Sequence, residues 1–415
     1  MTFRRAPYFL GLVAAFCLGM LVNAATAAER PDLATFWKAW DLAQANFVYR
    51  DALDQQKMLY GAIRGMIDAL GDDGHTRFLT PEDVATERST LTGRFDGIGA
   101  EVNVRNGRPV VVAPIEDSPA EKAGLLPGDT ILSVDGQDVS SASLGEIVSK
   151  VRGPRGTIVR LGVLHPGQSS SVDLSIERGP ITVRSVTWVL VPGTSLAHVR
   201  INRFAGGTTQ ELKDALAAGR AAGAQGFVLD LRNNPGGLLN EAVSASSQFL
   251  KDGNVLLEEN AKGERTPYPV KPDGLAVDTP IVVLVNRGSA SASEIFAGAI
   301  QDHERAPIVG EQTYGTGTVL STFDLGDGSE IYLGTAQWLT PNGRAIRKVG
   351  VKPDVVVPLS GGARPVSPSE ERAMTADQLA ARGDAQLAKA IEILGASRGA
   401  DGVCVDDTHP ADGRC

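Results

Sequence analysis

Five consecutive branched apolar residues, Ile281-Val-Val-Leu-Val285, constrain this chain more than any other segment. A strand turns alternate side chains to opposite faces, so an unbroken apolar run has to be covered on both. Phe227-Val-Leu-Asp-Leu231 is a second buried-strand run, followed by Asn233-Asn-Pro-Gly-Gly237 and a helical stretch from Leu239 to Leu250. Strand and helix alternate in this way from 181 to 360, which implies an α/β core. After Val285 the chain reads Gly288-Ser-Ala-Ser-Ala-Ser-Glu294, bringing serines to the start of a helix that runs to Asp302. Amide N–H groups there lack intrahelical acceptors, and the helix dipole adds partial positive charge. An oxyanion formed at that point would be stabilised, as acyl transfer requires. Ser291-x-x-Glu294 equally fits a capping box that only starts a helix.

The rest of the chain falls into regions of different pattern. Residues 28–90 read as helical, with one apolar stripe begun by Phe36, Trp37, Trp40 and Leu42 and another of Leu59, Ile63, Met66, Ile67 and Leu70. Residues 91–180 read as short strands divided by turns such as Pro127-Gly-Asp129 and Asp135-Gly136, with a helix from Leu144 to Val151. In the tail, 361–415, Leu387, Ala390, Ile391 and Leu394 mark one amphipathic helix.

The formal net charge of −9 and the lack of a basic stripe argue against nucleic acid as a partner. Arg4-Arg5, an apolar stretch from Tyr8 to Val22 and Ala25-Thr-Ala27 read as a secretory signal peptide over 1–27. Export to the periplasm or the extracellular space is therefore expected; left uncleaved, the segment would anchor the chain to a membrane. In an oxidising compartment Cys404 and Cys415 are expected to pair. Their spacing and a single nearby His409 do not suggest a metal, and no cofactor is expected.

Taken in order, several segments resemble the carboxyl-terminal processing (tail-specific) peptidases, serine peptidase family S41. They are Leu70-Gly-Asp-Asp-Gly-His-Thr76, Phe95-Asp-Gly-Ile-Gly99, Asp117-Ser-Pro-Ala-Glu-Lys-Ala-Gly-Leu125, Asp230-Leu-Arg-Asn-Asn-Pro-Gly-Gly237, Ser289-Ala-Ser-Ala-Ser-Glu294 and Gln301-Asp-His303. The resemblance implies a multidomain α+β molecule: a helical N-terminal region, a β-rich PDZ domain and a ClpP/crotonase-like α/β core. It implies Ser291 as nucleophile, with the Ala292 amide and that of Gly236 or Gly237 as oxyanion donors. Glu294 would be a supporting carboxylate, and Asp302 matches a position implicated in some members. In the PDZ domain, Phe95, Gly97, Ile98 and Gly99 would receive a C-terminal carboxylate, and the strand from Ala100 would pair with the peptide. Polypeptides with free C-termini are the implied partners, and the sequence leaves an oligomer open.

One segment departs from the family. Where members carry a Gly-Lys-Gly whose lysine serves as general base, this chain has Gly315-Thr316-Gly317, and Leu320 replaces a supporting glutamine. A threonine hydroxyl is no more basic than the serine it would deprotonate. The base would then be Lys348 or, as in tricorn-type relatives, a histidine, here His75 oriented by Thr76. Alternatively, the chain is a pseudoprotease that only binds C-termini.

Overall fold

The computed structural model describes residues 31–72, 75–92, 94–105, 107–115, 118–142, 144–359 and 363–399. The expected signal segment and the Cys404–Cys415 pair lie outside the described residues. The chain divides into two compact units, residues 1–65 and 66–415. In the first, α1 (Ala34–Asn46) buries none of its residues, so its apolar stripe faces no core there. The Phe36, Trp37 and Trp40 rings pack on one another instead, with Phe36 centroids 5.1 Å and 6.1 Å from the other two. Helix α2 (Gln55–Asp68) buries only Ile67.

The second unit departs from the expectation of an all-helical region to residue 90. Strand β1 (Arg77–Leu79) precedes α3 (Pro81–Thr92) and joins a sheet of the core. The next module begins with β2 (Arg94–Gly97), β3 (Ala100–Arg105), β4 (Arg108–Pro114), α4 (Pro119–Lys122), β5 (Thr130–Val134) and β6 (Gln137–Asp138). It continues through α5 (Leu144–Val151), β7 (Ile158–Leu164) and β8 (Val172–Glu177), and β9 (Gly179–Thr182) returns to pair with β2. Alternate residues of β7, Val159, Leu161 and Val163, enter its core with Val111, Ile131 and Ile147.

From β10 (Val186–Leu190) and β11 (Leu196–Ile201) the chain enters α6 (Thr208–Ala221), β12 (Gly226–Asp230) and α7 (Leu239–Ser246). Strands β13 (Asn254–Asn260) and β14 (Arg265–Pro269) precede β15 (Ile281–Val285), α8 (Ala292–Asp302) and β16 (Ile308–Gly310). Then come β17 (Thr318–Asp324), β18 (Glu330–Leu339), β19 (Val355–Val356), α9 (Pro368–Glu371), α10 (Ala376–Ala381) and α11 (Ala385–Gly399). The central sheet has the order β10-β11-β12-β15-β16-β19, antiparallel at the first pair and parallel from β11 onward. A second sheet, β1-β18-β13-β14, has β17 paired to β18.

The apolar run of β15 is covered as its composition demands. Ile281, Val283 and Val285 face the core under α7 and α8, while Val282 and Leu284 face Leu379, Leu387, Ala390 and Leu394 of the C-terminal helices. A buried ion network fastens those helices to the sheet. The His198 ring nitrogens stand 3.0 Å from Glu371 Oε2 and 3.2 Å from Asp230 Oδ2. Arg232 donates to Asp230 at 2.9 Å and to Asp384 at 2.7 Å. Burial pushes the His198 imidazole down, but its bonds to Asp230 and Glu371 outweigh this and raise it above its ordinary value. Burial likewise pushes Asp230 up, yet the Arg232 guanidinium and the His198 bond hold it well below the carboxylate range.

Candidate active site

Strands β12 and β15 are parallel neighbours, with Asp230 opposite Leu284, so both chains leave the sheet at one edge. The loops beyond them meet where open α/β sheets bind ligands. The Asn286 side-chain amide donates to Asn233 Oδ1 at 2.9 Å, and the Asn233 N–H donates to Asn286 Oδ1 at 2.8 Å. The Ala290 N–H reaches the Asn234 carbonyl at 3.0 Å. These lashes fix 231–237 against 286–291 before any ligand is considered.

The three serines of the motif are distinguished by their hydroxyls. Ser289 donates to the Leu231 carbonyl at 2.8 Å and Ser293 to the Asn234 carbonyl at 2.9 Å, both wholly buried. Ser291 alone of the three lines a cavity of about 610 Å³, with His75, Gly237, Tyr314, Thr316 and Trp338. Its backbone sits at φ 53° and ψ −117°, a conformation a non-glycine residue holds only when its surroundings impose it. Glu294 supplies much of that constraint. Wholly buried, it accepts from the Ser291 N–H at 2.9 Å, the Thr313 hydroxyl at 2.5 Å and the Gly315 and Thr316 N–H groups at 2.6 and 2.9 Å. The capping-box carboxylate thus also pins the 313–316 loop against the serine turn.

The two glycines differ. A Cβ on Gly236 would stand 2.7 Å from Ser291 Cβ, and one on Gly237 would stand 2.3 Å from the Phe204 carbonyl oxygen. Their φ values of 101° and 140° also require glycine. The Gly236 N–H is occupied by Asn234 Oδ1 at 2.9 Å. The Gly237 N–H has no acceptor among the described residues, and the Ala292 N–H opens α8 without an intrahelical one. Of the two expected glycines, Gly237 therefore has the available amide.

On the opposite wall the His75 ring meets the Tyr314 ring edge-on, centroids 6.4 Å apart, and its Nδ1 lies 3.9 Å from Asp72 Oδ1. Thr76, expected to orient this ring, is engaged elsewhere. Its hydroxyl donates to Asp72 at 2.8 Å and accepts from the Gly334 N–H at 2.9 Å. Arg347 also donates to Asp72, at 2.7 Å. Burial pushes the Asp72 carboxyl up, but the Arg347 and Thr76 hydrogen bonds prevail and hold it below its ordinary value. Asp72 was not singled out from sequence, although its i,i+3 spacing to His75 within the quoted motif was a usable signal.

Two expected positions are not brought to the cavity. Asp302 ends α8, ten residues beyond Ala292 and so roughly 15 Å along the axis. It takes the Asn342 N–H at 2.8 Å and the Arg344 Nε at 3.0 Å, which makes it a strut between the helix and the loop after β18. Lys348 is exposed at φ 61°, with its N–H bonded to the Gly315 carbonyl at 2.7 Å, and it is not among the cavity's lining residues.

In the β-rich module Gly97, Ile98, Gly99 and Ala100 line a cavity of about 150 Å³ opposite Ile147 and Val151 of α5. Gly99, at φ 77°, could not carry a side chain, because a Cβ would fall 2.4 Å from Ser118 Cβ. Phe95 lies on β2 opposite Ile181, its backbone placed in the two-stranded ladder.

Comparison with known proteins extends these observations. Residues 195–357 match the model of peptidase family S41, and residues 110–164 match that of a PDZ domain. A carboxyl-terminal-processing protease of Synechocystis sp. is 37% identical over 338 residues, covering 80% of this chain and 78% of that protein. A carboxy-terminal-processing protease of Bartonella bacilliformis is 39% identical, over 73% of this chain and 70% of its own length. Among solved structures, a photosystem II D1 C-terminal processing protease is 31% identical with a TM-score of 0.50, covering 84% of this chain and 98% of that one. Among the described residues no helix is long and apolar enough to cross a membrane.

Proposed function

Since the chain belongs to peptidase family S41 and carries a PDZ domain, we propose that it is an exported serine endopeptidase that cuts polypeptides near free C-termini. The single observation that carries this reading is that Ser291, Gly237 and His75 line one cavity. Ser291 Oγ attacks the scissile carbonyl carbon while the His75 ring takes the hydroxyl proton. The Gly237 and Ala292 N–H groups receive the resulting oxyanion. On collapse the peptide C–N bond breaks and His75 returns the proton to the leaving amine. Water, deprotonated by the same ring, then releases the acyl group. Asp72, beside Nδ1, stabilises the imidazolium formed in each half. The PDZ groove holds the substrate's C-terminus, with its carboxylate toward the Gly97–Gly99 turn.

The rival reading, a pseudoprotease that only binds C-termini, is favoured by Thr316 at the family's lysine position. Cleavage of a peptide with a free C-terminus separates the two. Turnover by the wild-type chain supports the peptidase; wild-type silence with activity gained in Thr316→Lys supports the binder. Sequencing the mature N-terminus tests export, for which Ala28 is expected as the first residue.

A further inference from the structure

The cavity of Ser291 has an apolar part that the proposed chemistry does not use. Leu91, Leu238, Leu239, Val319, Leu320 and Trp338 line it. Trp338 belongs to the main hydrophobic core, and Leu239 and Val319 pack against that core, so these three are held from behind. Leu320 is different. It is 39% exposed, and its cross-strand partner on β18 is Gly334, which has no side chain to cover it. The β17–β18 register slips between Val319 and Leu320, and both line the cavity, although strict alternation would turn them to opposite faces. Polar groups on these walls are already engaged. Glu87, the only carboxylate among the described lining residues, stands 2.9 Å from Arg77 Nη2, and no lysine or arginine is among them. The Thr318 hydroxyl donates to the Thr316 carbonyl at 3.3 Å. A charged substrate side chain entering here would be buried without a partner, whereas an apolar one exchanges water for carbon contacts.

The order of the chemistry gives the apolar part a direction. The leaving amine has to face His75 to recover the proton, and Leu238 and Leu239 directly follow Gly237, whose N–H receives the oxyanion. The apolar walls therefore lie beside the acyl residue. We propose that Leu320, with Leu239 and Trp338, forms a subsite for the side chain on the acyl side of the scissile bond, and that it selects a large apolar one, leucine or phenylalanine over alanine. The proposal rests on the peptidase reading and adds to it the residue at which the substrate is cut. An alanine would leave most of the apolar wall in water. Leu320 stands where other members carry a glutamine, so the selection belongs to this chain and not to the family at large. One methylene in an apolar pocket is worth about 10–200-fold in kcat/KM, so leucine should be preferred to alanine by at least about tenfold.

The test measures kcat/KM of the full-length chain for peptides with a free C-terminus that differ only in the acyl-side residue. Leucine and phenylalanine should exceed alanine by at least about tenfold, with aspartate and lysine below alanine. Leu320→Gln should cut the leucine-to-alanine ratio several-fold. Leu325→Gln, at an exposed residue outside the cavity, should leave it unchanged. The ratio cancels any loss of folded enzyme, so a stability effect of the substitution does not imitate the result. Alanine or aspartate cut as well as leucine, or a ratio unmoved by Leu320→Gln, overturns the subsite. If the wild type cuts none of the peptides, the peptidase reading alone fails. Calorimetry with the same peptides amidated at the C-terminus then decides the subsite. Leucine bound about tenfold tighter than alanine, with the advantage lost in Leu320→Gln, sustains it; equal affinity or no binding overturns it.

Discussion

On one wall of the candidate cavity, the serine turn is held by the Asn233–Asn286 lash, by the hydroxyls of Ser289 and Ser293, and by Glu294 with its four donors. On the other wall, His75 has an edge contact with Tyr314 and a carboxylate 3.9 Å away, beyond hydrogen-bond length. The contrast follows from what each wall has to do. An oxyanion is stabilised by backbone amides, whose usefulness depends on loop position, so the loop is fixed by buried bonds. A general base needs only to reach the hydroxyl proton, and its geometry can tighten when substrate binds.

The sharpest way to break this comparison is to remove the proposed nucleophile. Ser291→Ala should lower kcat on the order of 10⁶-fold, while Ser289→Ala and Ser293→Ala act through stability; peptide turnover and thermal unfolding measured together separate the cases. Next comes the opposite wall. His75→Ala should cost about 10²–10⁴-fold in kcat, whereas Lys348→Ala leaves it unchanged. The reverse result would move the base to the lysine. Glu294→Gln should have a smaller effect, because its NH₂ group would face N–H donors now satisfied by a carboxylate. The cost is about 1–3 kcal/mol for each donor left unsatisfied, read by denaturant unfolding, with turnover reduced in parallel. If Glu294→Gln unfolds like the wild type, the serine wall is less constrained than its bonds imply.

The mildest expected effect concerns the ion network behind the sheet. The folded-state pKa of His198 lies above its ordinary 6.5, so the stabilisation is complete below that value and is lost as the pH rises through the folded pKa. His198→Gln should remove this alkaline decline. A variant that still shows the same decline would assign it to another group.

Legibility in the sequence followed the same division. The Ile281–Val285 run, the serine motif and the glycines of 236–237 announce themselves because burial on two faces and positive φ each restrict residue type. The helix Leu144–Val151 appeared at its expected bounds, since its apolar spacing has one face to bury. The base side was less legible. Asp72, Arg347 and Tyr314 are ordinary surface residue types, brought to His75 by pairing β1 with β18 across more than 250 residues. The apolar residues of α1 illustrate the converse: helical spacing was correctly read, yet Trp37 and Leu42 remain exposed. Periodicity specifies a face and says nothing of what covers it.

The charge network also has a consequence in time. Arg232 waits for a partner 152 residues later in the chain, and His198 for one 173 residues later. A ribosome delivers the chain N-terminus first, so the strands bearing His198, Asp230 and Arg232 emerge before Glu371 and Asp384. Until those helices dock, that face of the sheet stays in water, with Val282 and Leu284 uncovered and Arg232 without Asp384. The loop 231–237 begins one residue after Asp230, so its surroundings are complete only after the same late arrival. The C-terminal helices, last in the order of synthesis, therefore complete the cover of the sheet from whose edge the 231–237 loop leaves.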